Sequence, residues 1–202
     1  MNYDNLPNYC DDNLVKHNLT IWLTVIIISN VVHCHIKNKN PFNSDWLYYS
    51  LASLFGLTIH SLITCKLSIY IIKKFNIKKF NVKLAIVDTI KWLTVYMVNN
   101  IIFAYIKNKE ISFDEEWFKL YGGIILGYIL FDLLIEKDIS NLSKKDPDFV
   151  IDIFKSALGI FMGYFLSYGY IHTDLFHMLI SIEISLIIYY IIVRRFIPSI
   201  LL

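Results

Sequence analysis

The chain has 202 residues, of which 56% are hydrophobic and only 18% are charged, and its mean hydropathy is +0.51. This composition excludes an ordinary water-soluble domain, in which about 45–50% of residues are apolar and about 25% are charged. The net charge is only +2, so the chain lacks the strongly basic surface that binds nucleic acid, and we expect no nucleic-acid partner.

Six stretches approach the roughly 20 apolar residues that a helix needs to cross a bilayer. They are residues 19–36, 46–65, 84–106, 117–135, 149–171 and 175–193. The first and last of them have almost no polar stripe at the helical period, which argues against a buried helical bundle in a soluble protein. The sequence therefore predicts an all-α, polytopic membrane protein with about six transmembrane helices.

Lys and Arg residues are divided unequally between the two sides of these spans. Twelve lie before the first span, between spans two and three, between spans four and five, or after span six, whereas four lie in the loops on the opposite side. Positive residues in short loops are retained on the cytoplasmic side of a membrane. We therefore expect both termini to be cytoplasmic.

The chain also contains an internal repeat. Identical residues within 22–39 and 92–109 match at a shift of 70, whereas the next tryptophans, Trp46 and Trp117, match at a shift of 71. The loop that precedes the tryptophan therefore gains one residue in the second copy. A weaker third copy begins at Asp152. The nine identities at a shift of 70 are residues 22–25 with 92–95 (WLTV), Asn30 with Asn100, and residues 36–39 with 106–109 (IKNK).

The repeating unit is a helical hairpin of two spans, used three times in the same orientation. This predicts seven segments along the chain. They are a cytoplasmic N-terminal segment (1–18), hairpin 1 (19–72), a basic cytoplasmic loop (73–83), hairpin 2 (84–136), a cytoplasmic loop (137–148), hairpin 3 (149–195) and a tail (196–202).

Two pairs of glycines with the spacing GxxxG lie inside apolar spans. Gly123 and Gly127 are in span four, and Gly159 and Gly163 are in span five. Small residues four positions apart let a second helix approach closely. We expect these spans to pack against each other or against a second copy of the chain.

Five ionisable residues within the predicted spans are the main candidates for a role, because charge is costly there. Asp88 and Lys91, and likewise Asp152 and Lys155, are three residues apart near the cytoplasmic side. We expect each pair to neutralise itself, with its lysine reaching the interface, as a polar clamp between hairpins. The alternative is a conduction pathway or proton relay. The fifth residue is Glu183, in the middle of span six.

Burial makes a hydrogen bond to another helix the expected role of Glu183. Its candidate partners are Asn99 and Asn100. Asn30 and Asn100, which match across the repeat, are expected to hold helices together in the same way. Asp132, near the end of span four, is expected at the membrane interface.

The sequence contains no pattern typical of an active site, a cofactor site or a metal site. His33, Cys34 and His35 are adjacent, but residues two apart point to different sides of a helix, and no further ligands follow at metal-site spacing. Nucleophile-elbow, metalloprotease, phosphate-loop and dinucleotide motifs are missing. We therefore predict a non-enzymatic protein without a cofactor.

The repeated pattern of Asp-x-x-Lys, a loop, a tryptophan and a glycine in the returning helix resembles small multi-pass membrane proteins of large eukaryotic DNA viruses. The resemblance covers residues 84–193 and implies a protein of the virion's internal membrane or of a host membrane, with no active site to carry over. The residues that carry it are Asp88, Lys91, Trp117, Gly127, Asp152 and Lys155.

Two functions remain open at this point. The first is a structural or assembly role, with lipid, further copies of the chain, or membrane and capsid proteins as partners. The second is a small ion or proton channel or transporter that uses Asp88, Asp152 and Glu183.

Overall fold

The computed structural model describes residues 12–41, 44–136, 147–169 and 173–193, and within these ranges it contains helices and turns but no strand. The predicted all-α class is confirmed. Residues 1–11 of the predicted N-terminal segment, residues 137–146 of the predicted loop and the tail lie outside the described residues. The helices are α1 (Asp12–Ile36), α2 (Ser44–Ile59, continued by His60–Thr64 and Cys65–Lys74), α3 (Phe80–Ile106), α4 (Glu115–Leu130, continued by Phe131–Ile135), α5 (Pro147–Tyr168) and α6 (Thr173–Ile188, continued by Tyr189–Val193).

Five of these helices are long and apolar enough to cross a membrane. Helix α3 has 27 residues and is about 40 Å long, but it is less apolar because Asp88, Lys91, Asn99 and Asn100 lie within its predicted span. The five apolar segments are Leu19–Ile36, Ser50–Lys74, Glu115–Ile135, Asp148–Tyr168 and Leu175–Val193.

The helices form a closed bundle in which each one contacts its neighbours along the chain and α6 returns to α1. The most extensive contacts join α4 to α5, α2 to α3, and α1 to α6. Each of these pairs joins two different predicted hairpins. The boundary of the first hairpin also differs from the prediction, because α2 continues to Lys74 and α3 begins at Phe80, which leaves only residues 75–79 as the connecting loop.

The bundle has an apolar outer surface, and its interior contains polar side chains beside an apolar core. Its outer surface carries large apolar side chains, among them Ile63 and Leu134, which are 63% and 69% exposed. Its interior contains Asp132, Ser181 and Ser185, each with 0% exposure. The two serine hydroxyls donate to backbone carbonyls of their own helix, which satisfies them without a partner helix.

The loops after α1 and α3 have the same structure. Asn38 and Asn108 adopt the left-handed conformation with φ of 51° and 49°, which asparagine tolerates better than most residues. The residue after each asparagine donates its backbone N–H to the carbonyl five residues earlier, at 2.8 and 2.9 Å. These hydrogen bonds end both helices in the same way.

The amides of Asn30 and Asn100 also make equivalent hydrogen bonds. Asn30 Nδ2 donates to the carbonyl of Pro41 at 3.0 Å, and Asn100 Nδ2 donates to the carbonyl of Ser112 at 2.5 Å. Pro41 and Ser112 are 71 residues apart, so the acceptors follow the one-residue gain that the sequence predicts for this loop. Both asparagines hold the loop after their own helix, whereas the sequence prediction was a contact between helices.

Three π-helical turns interrupt α2, α4 and α6. They are His60–Thr64, Phe131–Ile135 and Tyr189–Val193. Each lies in the second helix of a predicted hairpin. The first two begin 71 residues apart, as Trp46 and Trp117 do. A π turn accommodates one extra residue and so changes the face on which the following side chains lie, and such turns are frequent at functional sites.

Candidate functional site: a buried charge cluster

The four GxxxG glycines lie at the crossing of α4 and α5. A Cβ atom added to Gly123 would lie 2.7 Å from the Cα of Gly163, and one added to Gly127 would lie 2.6 Å from the Cα of Gly159. Real Cβ atoms do not approach backbone atoms this closely, so only glycine allows this contact. The structure therefore brings all four predicted packing glycines together, within one chain.

This close approach positions the charged side chains beside it. Lys155 lies four residues before Gly159, and Asp132 lies five residues after Gly127, on the facing helix. The Lys155 ammonium binds the Asp132 carboxylate of α4 and the Asp88 carboxylate of α3. The side chains of Lys155, Asp88 and Asp132 are 12%, 15% and 0% exposed, so one ammonium group joins three helices in the interior.

The pairing of charges differs from the one that the sequence spacing suggests. Lys155 binds carboxylates of two other helices instead of Asp152, and Asp152 accepts a hydrogen bond from the Tyr190 hydroxyl of α6 at 2.6 Å. The prediction of self-neutralised pairs three residues apart is wrong for Asp152 and Lys155. Acceptors on neighbouring helices lie closer to the ammonium than its own helix neighbour does.

Lys91 is held by two aromatic rings. Its ammonium lies 5.4 Å from the centre of the Trp22 ring and 5.1 Å from that of Trp92, a distance at which a cation is attracted to the ring face. It also interacts electrostatically with Asp88 and Asp152. Lys91 therefore points into the bundle, whereas the sequence prediction placed its ammonium at the interface.

We call Asp88, Lys91, Asp132, Asp152 and Lys155 the charge cluster. Each of the three π turns supplies a polar side chain to it. Asp132 belongs to the turn in α4, Tyr190 belongs to the turn in α6, and His60 of the turn in α2 interacts electrostatically with Lys91 and Asp88. His60 had no predicted role, although His60 and Tyr190 fall at matching positions of the repeat.

Asp132, which was expected at the membrane interface, is completely buried by the surrounding helices. Two features explain this burial. The helix continues past Asp132 to Glu136, and the π turn and the glycine contact direct the carboxylate towards α5. One carboxylate oxygen, Oδ1, accepts from Lys155, whereas Oδ2 has no hydrogen-bond partner among the described residues.

Glu183 makes the expected hydrogen bond to another helix, but with a different partner. Its Oε1 accepts from the Ser156 hydroxyl of α5 at 3.0 Å. The candidates Asn99 and Asn100 lie elsewhere, with Asn99 donating to the Ser53 hydroxyl of α2 at 2.9 Å. The second oxygen of Glu183 is buried and has no hydrogen-bond partner in the described part of the chain.

At the opposite end of α4, Asp114 caps the helix. Its carboxylate accepts a hydrogen bond from the backbone N–H of Trp117 at 2.8 Å and one from the Ser112 hydroxyl at 2.9 Å. These bonds favour the charged form and lower the pKa of Asp114 below its usual value. Asp114 thus caps α4 beside Ser112, whose backbone carbonyl accepts the hydrogen bond from the Asn100 amide.

Comparisons with protein-family models, with curated proteins and with solved structures find no match to this chain. Among the described residues, no group of three or more His, Cys, Asp and Glu side chains has the arrangement of a metal site. Cys34 is buried, and its thiol lies 3.8 Å from the Asn30 amide oxygen. A function therefore has to be argued from the charge cluster and from the polarity of the bundle.

Proposed function

We propose that this chain is an integral membrane protein with a non-enzymatic, structural role: a self-contained bundle of three hairpins that crosses the membrane six times. The apolar outer surface of the bundle carries this proposal. Apolar side chains such as Leu62, Ile63 and Leu134 would be costly to expose to water over so large a surface. In lipid the same surface is favourable, and the charges are paired inside.

A sixth crossing by α3 follows if its neighbours cross. Helix α3 contacts α2 and α4, is connected to both by short loops and is about 40 Å long. Its polar side chains Asp88, Lys91 and Asn99 have partners inside the bundle. Its lower hydropathy therefore does not oppose insertion, because the polar groups do not contact lipid.

Three features support the proposal that the hairpins are copies of one unit. The loops after α1 and α3 are held by equivalent hydrogen bonds from the amides of Asn30 and Asn100. The π turns recur in the second helix of each hairpin. Equivalent positions also meet between hairpins. Gly56 and Gly127 each follow the matched tryptophan by ten residues, and Leu186 takes the same place in the third copy. Gly56 packs against the backbone of Val95, Gly127 packs against Gly159, and Leu186 is in the same core group as Val25. Such a pattern is expected for three copies arranged around one axis.

The charge cluster supports a packing role because it fixes which hairpins are neighbours. Lys155 joins hairpin 3 to hairpin 2, and Lys91 contacts Trp22 of hairpin 1.

The described loops are short, so partners have to contact lipid-facing helices or loop residues. We propose lipid, further copies of the chain, or proteins of a viral or host membrane as these partners, and mass spectrometry of co-purifying proteins tests this.

The six crossings and the cytoplasmic termini are tested by glycosylation mapping. An acceptor sequence in a flexible spacer is inserted either between Lys109 and Glu110 or at Ile77, and the protein is made in the presence of microsomes. We expect glycosylation of the first insertion only, because the lysine-rich loop stays cytoplasmic. Glycosylation at Ile77, or at neither position, would contradict the proposed topology.

Proton or ion transport is the second candidate, and unpaired carboxylate oxygens inside the bundle favour it. Asp132 Oδ2 and Glu183 Oε2 are buried without a hydrogen-bond partner among the described residues. Groups of this kind line proton pathways in membrane proteins. The two carboxylates lie on either side of α5, which contributes Lys155 and Ser156 to them.

Replacing Glu183 with Gln separates the two functions. If packing is the role, wild-type protein in liposomes gives no proton flux above that of empty liposomes, and Glu183→Gln lowers the unfolding temperature. Glu116→Gln, at an exposed position of α4, is the matched control and should leave the unfolding temperature unchanged. A wild-type flux that Glu183→Gln abolishes and Glu116→Gln retains would replace packing with transport as the proposed function.

A further inference from the structure

We propose that the charge cluster is a proton-binding site, in which Asp132 carries one bound proton at neutral pH. This proposal goes beyond the structural role and does not depend on it. Its ligand is the proton, and its site consists of Asp132 together with the Lys155 ammonium and the Asp88 carboxylate.

Charge balance is the first reason. The cluster contains three carboxylates, Asp88, Asp132 and Asp152, but only two ammonium groups, those of Lys91 and Lys155. A net charge is costly in an interior from which water is excluded, because neither water nor a partner compensates it. One additional proton makes the cluster neutral.

His60 is the nearest alternative source of positive charge. Its Nδ1 lies 2.9 Å from the Thr64 hydroxyl, and the ring is buried. It also interacts electrostatically with the Lys91 ammonium and, more weakly, with the Asp88 carboxylate. Burial and the like charge of Lys91 both oppose a charged imidazole, so we infer that the extra proton is on a carboxylate.

Geometry selects Asp132 among the three carboxylates. Asp88 interacts with both ammonium groups, and Asp152 accepts from the Tyr190 hydroxyl besides interacting with Lys91. Asp132 has a hydrogen bond from Lys155 alone and is completely buried. Its Oδ2 has no partner in the described part of the chain, and a proton there leaves Oδ1 free to accept from Lys155.

The groups around Asp132 add further negative charge. Helix α3 contributes Asp88 and Lys91, α5 contributes Lys155, and α4 itself contributes the buried Glu136 one turn later. The nearest of these, Lys155, is shared with Asp88. Ionising Asp132 would therefore place two carboxylates on one ammonium, next to a third acidic group.

Infrared spectroscopy of the purified protein in lipid tests the proposal. A protonated carboxylic acid has a carbonyl band separate from that of carboxylates, and deuterium exchange shifts it. We expect this band in the wild type at neutral pH, and Asp132→Asn should remove the part of the band that comes from aspartate. Glu183→Gln is the matched control, since it removes another buried, partly unpaired carboxyl group but should retain the aspartate part of the band.

A labelling experiment on the wild-type chain avoids the risk that a variant does not fold. Carbon-13 in the side-chain carboxyl of aspartate should shift one component of the band, and the same label in glutamate separates any component that comes from the buried Glu136 and Glu183. The proposal is overturned if the aspartate label shifts no component in the wild type, or if a folded, aspartate-labelled Asp132→Asn retains the shifted component.

Discussion

Replacing Lys155 with methionine should destabilise the bundle by about 3–5 kcal/mol, the usual cost of removing one partner of a buried ion pair. Methionine fills a similar volume, so the loss comes from the charge. The Asp88 and Asp132 side chains would lose the ammonium group that they share, and Asp88 would keep only its electrostatic interaction with Lys91. Unfolding of the purified protein in mixed micelles, followed by circular dichroism, measures this change.

Lys119→Met is the matched control. Lys119 also has a carboxylate partner, Glu115 at 2.5 Å, but both side chains are exposed. Its loss should leave the unfolding curve unchanged, because water replaces the partner. The triple variant Lys155→Met, Asp88→Asn, Asp132→Asn should recover most of the lost stability. A Lys155→Met curve that coincides with that of the wild type would show that the cluster does not stabilise the bundle.

Replacing Gly127 with alanine should destabilise the bundle by about 1–3 kcal/mol, the usual cost of overpacking. The added Cβ would lie 2.6 Å from the Cα of Gly159. A backbone atom cannot rotate away as a side chain can, so α4 and α5 have to separate. That separation also draws Asp132 away from Lys155, and the same unfolding measurement detects both effects.

Gly122→Ala makes the same chemical change five residues earlier in α4. No atom lies within 4 Å of a Cβ added there. Alanine is the better helix former, so this variant should be as stable as the wild type or slightly more stable. Equal effects of the two alanines would mean that the glycines do not hold α4 and α5 together.

The helices and the glycines could be predicted because their signals are local. An apolar run long enough to cross a membrane, or two glycines four residues apart, is visible in one short stretch. The partners of Lys155 could not be predicted in this way. Spacing along one helix suggests Asp152, but the nearest carboxylates are determined by which helices become neighbours.

The π turns are the second reason why sequence reasoning was incomplete. Asp132 was predicted at the membrane interface from its position near the end of span four, and His60 was assigned no role. Each lies in a turn that takes up an extra residue, after which the regular period no longer predicts the buried face. Within an apolar run, no residue type distinguishes a π turn from an α turn.

The repeat contained more information than its identities alone. Pro41 and Ser112 are different residue types, so a comparison of side chains does not match them. Their carbonyls nevertheless accept equivalent bonds from Asn30 and Asn100. A backbone acceptor is conserved through any substitution, and the one-residue gain in the loop was the only sequence signal for this match.

The contact between the first and last helices has a consequence for biosynthesis. Ile21 and Val25 of α1 pack against Leu186 and Tyr189 of α6, yet residues 37–172 have to be translated between the two helices. At usual rates of elongation this takes on the order of ten seconds. During that time the ribosome holds a nascent chain whose first helix still lacks its final neighbour, so only release of the C-terminal helix completes the ring.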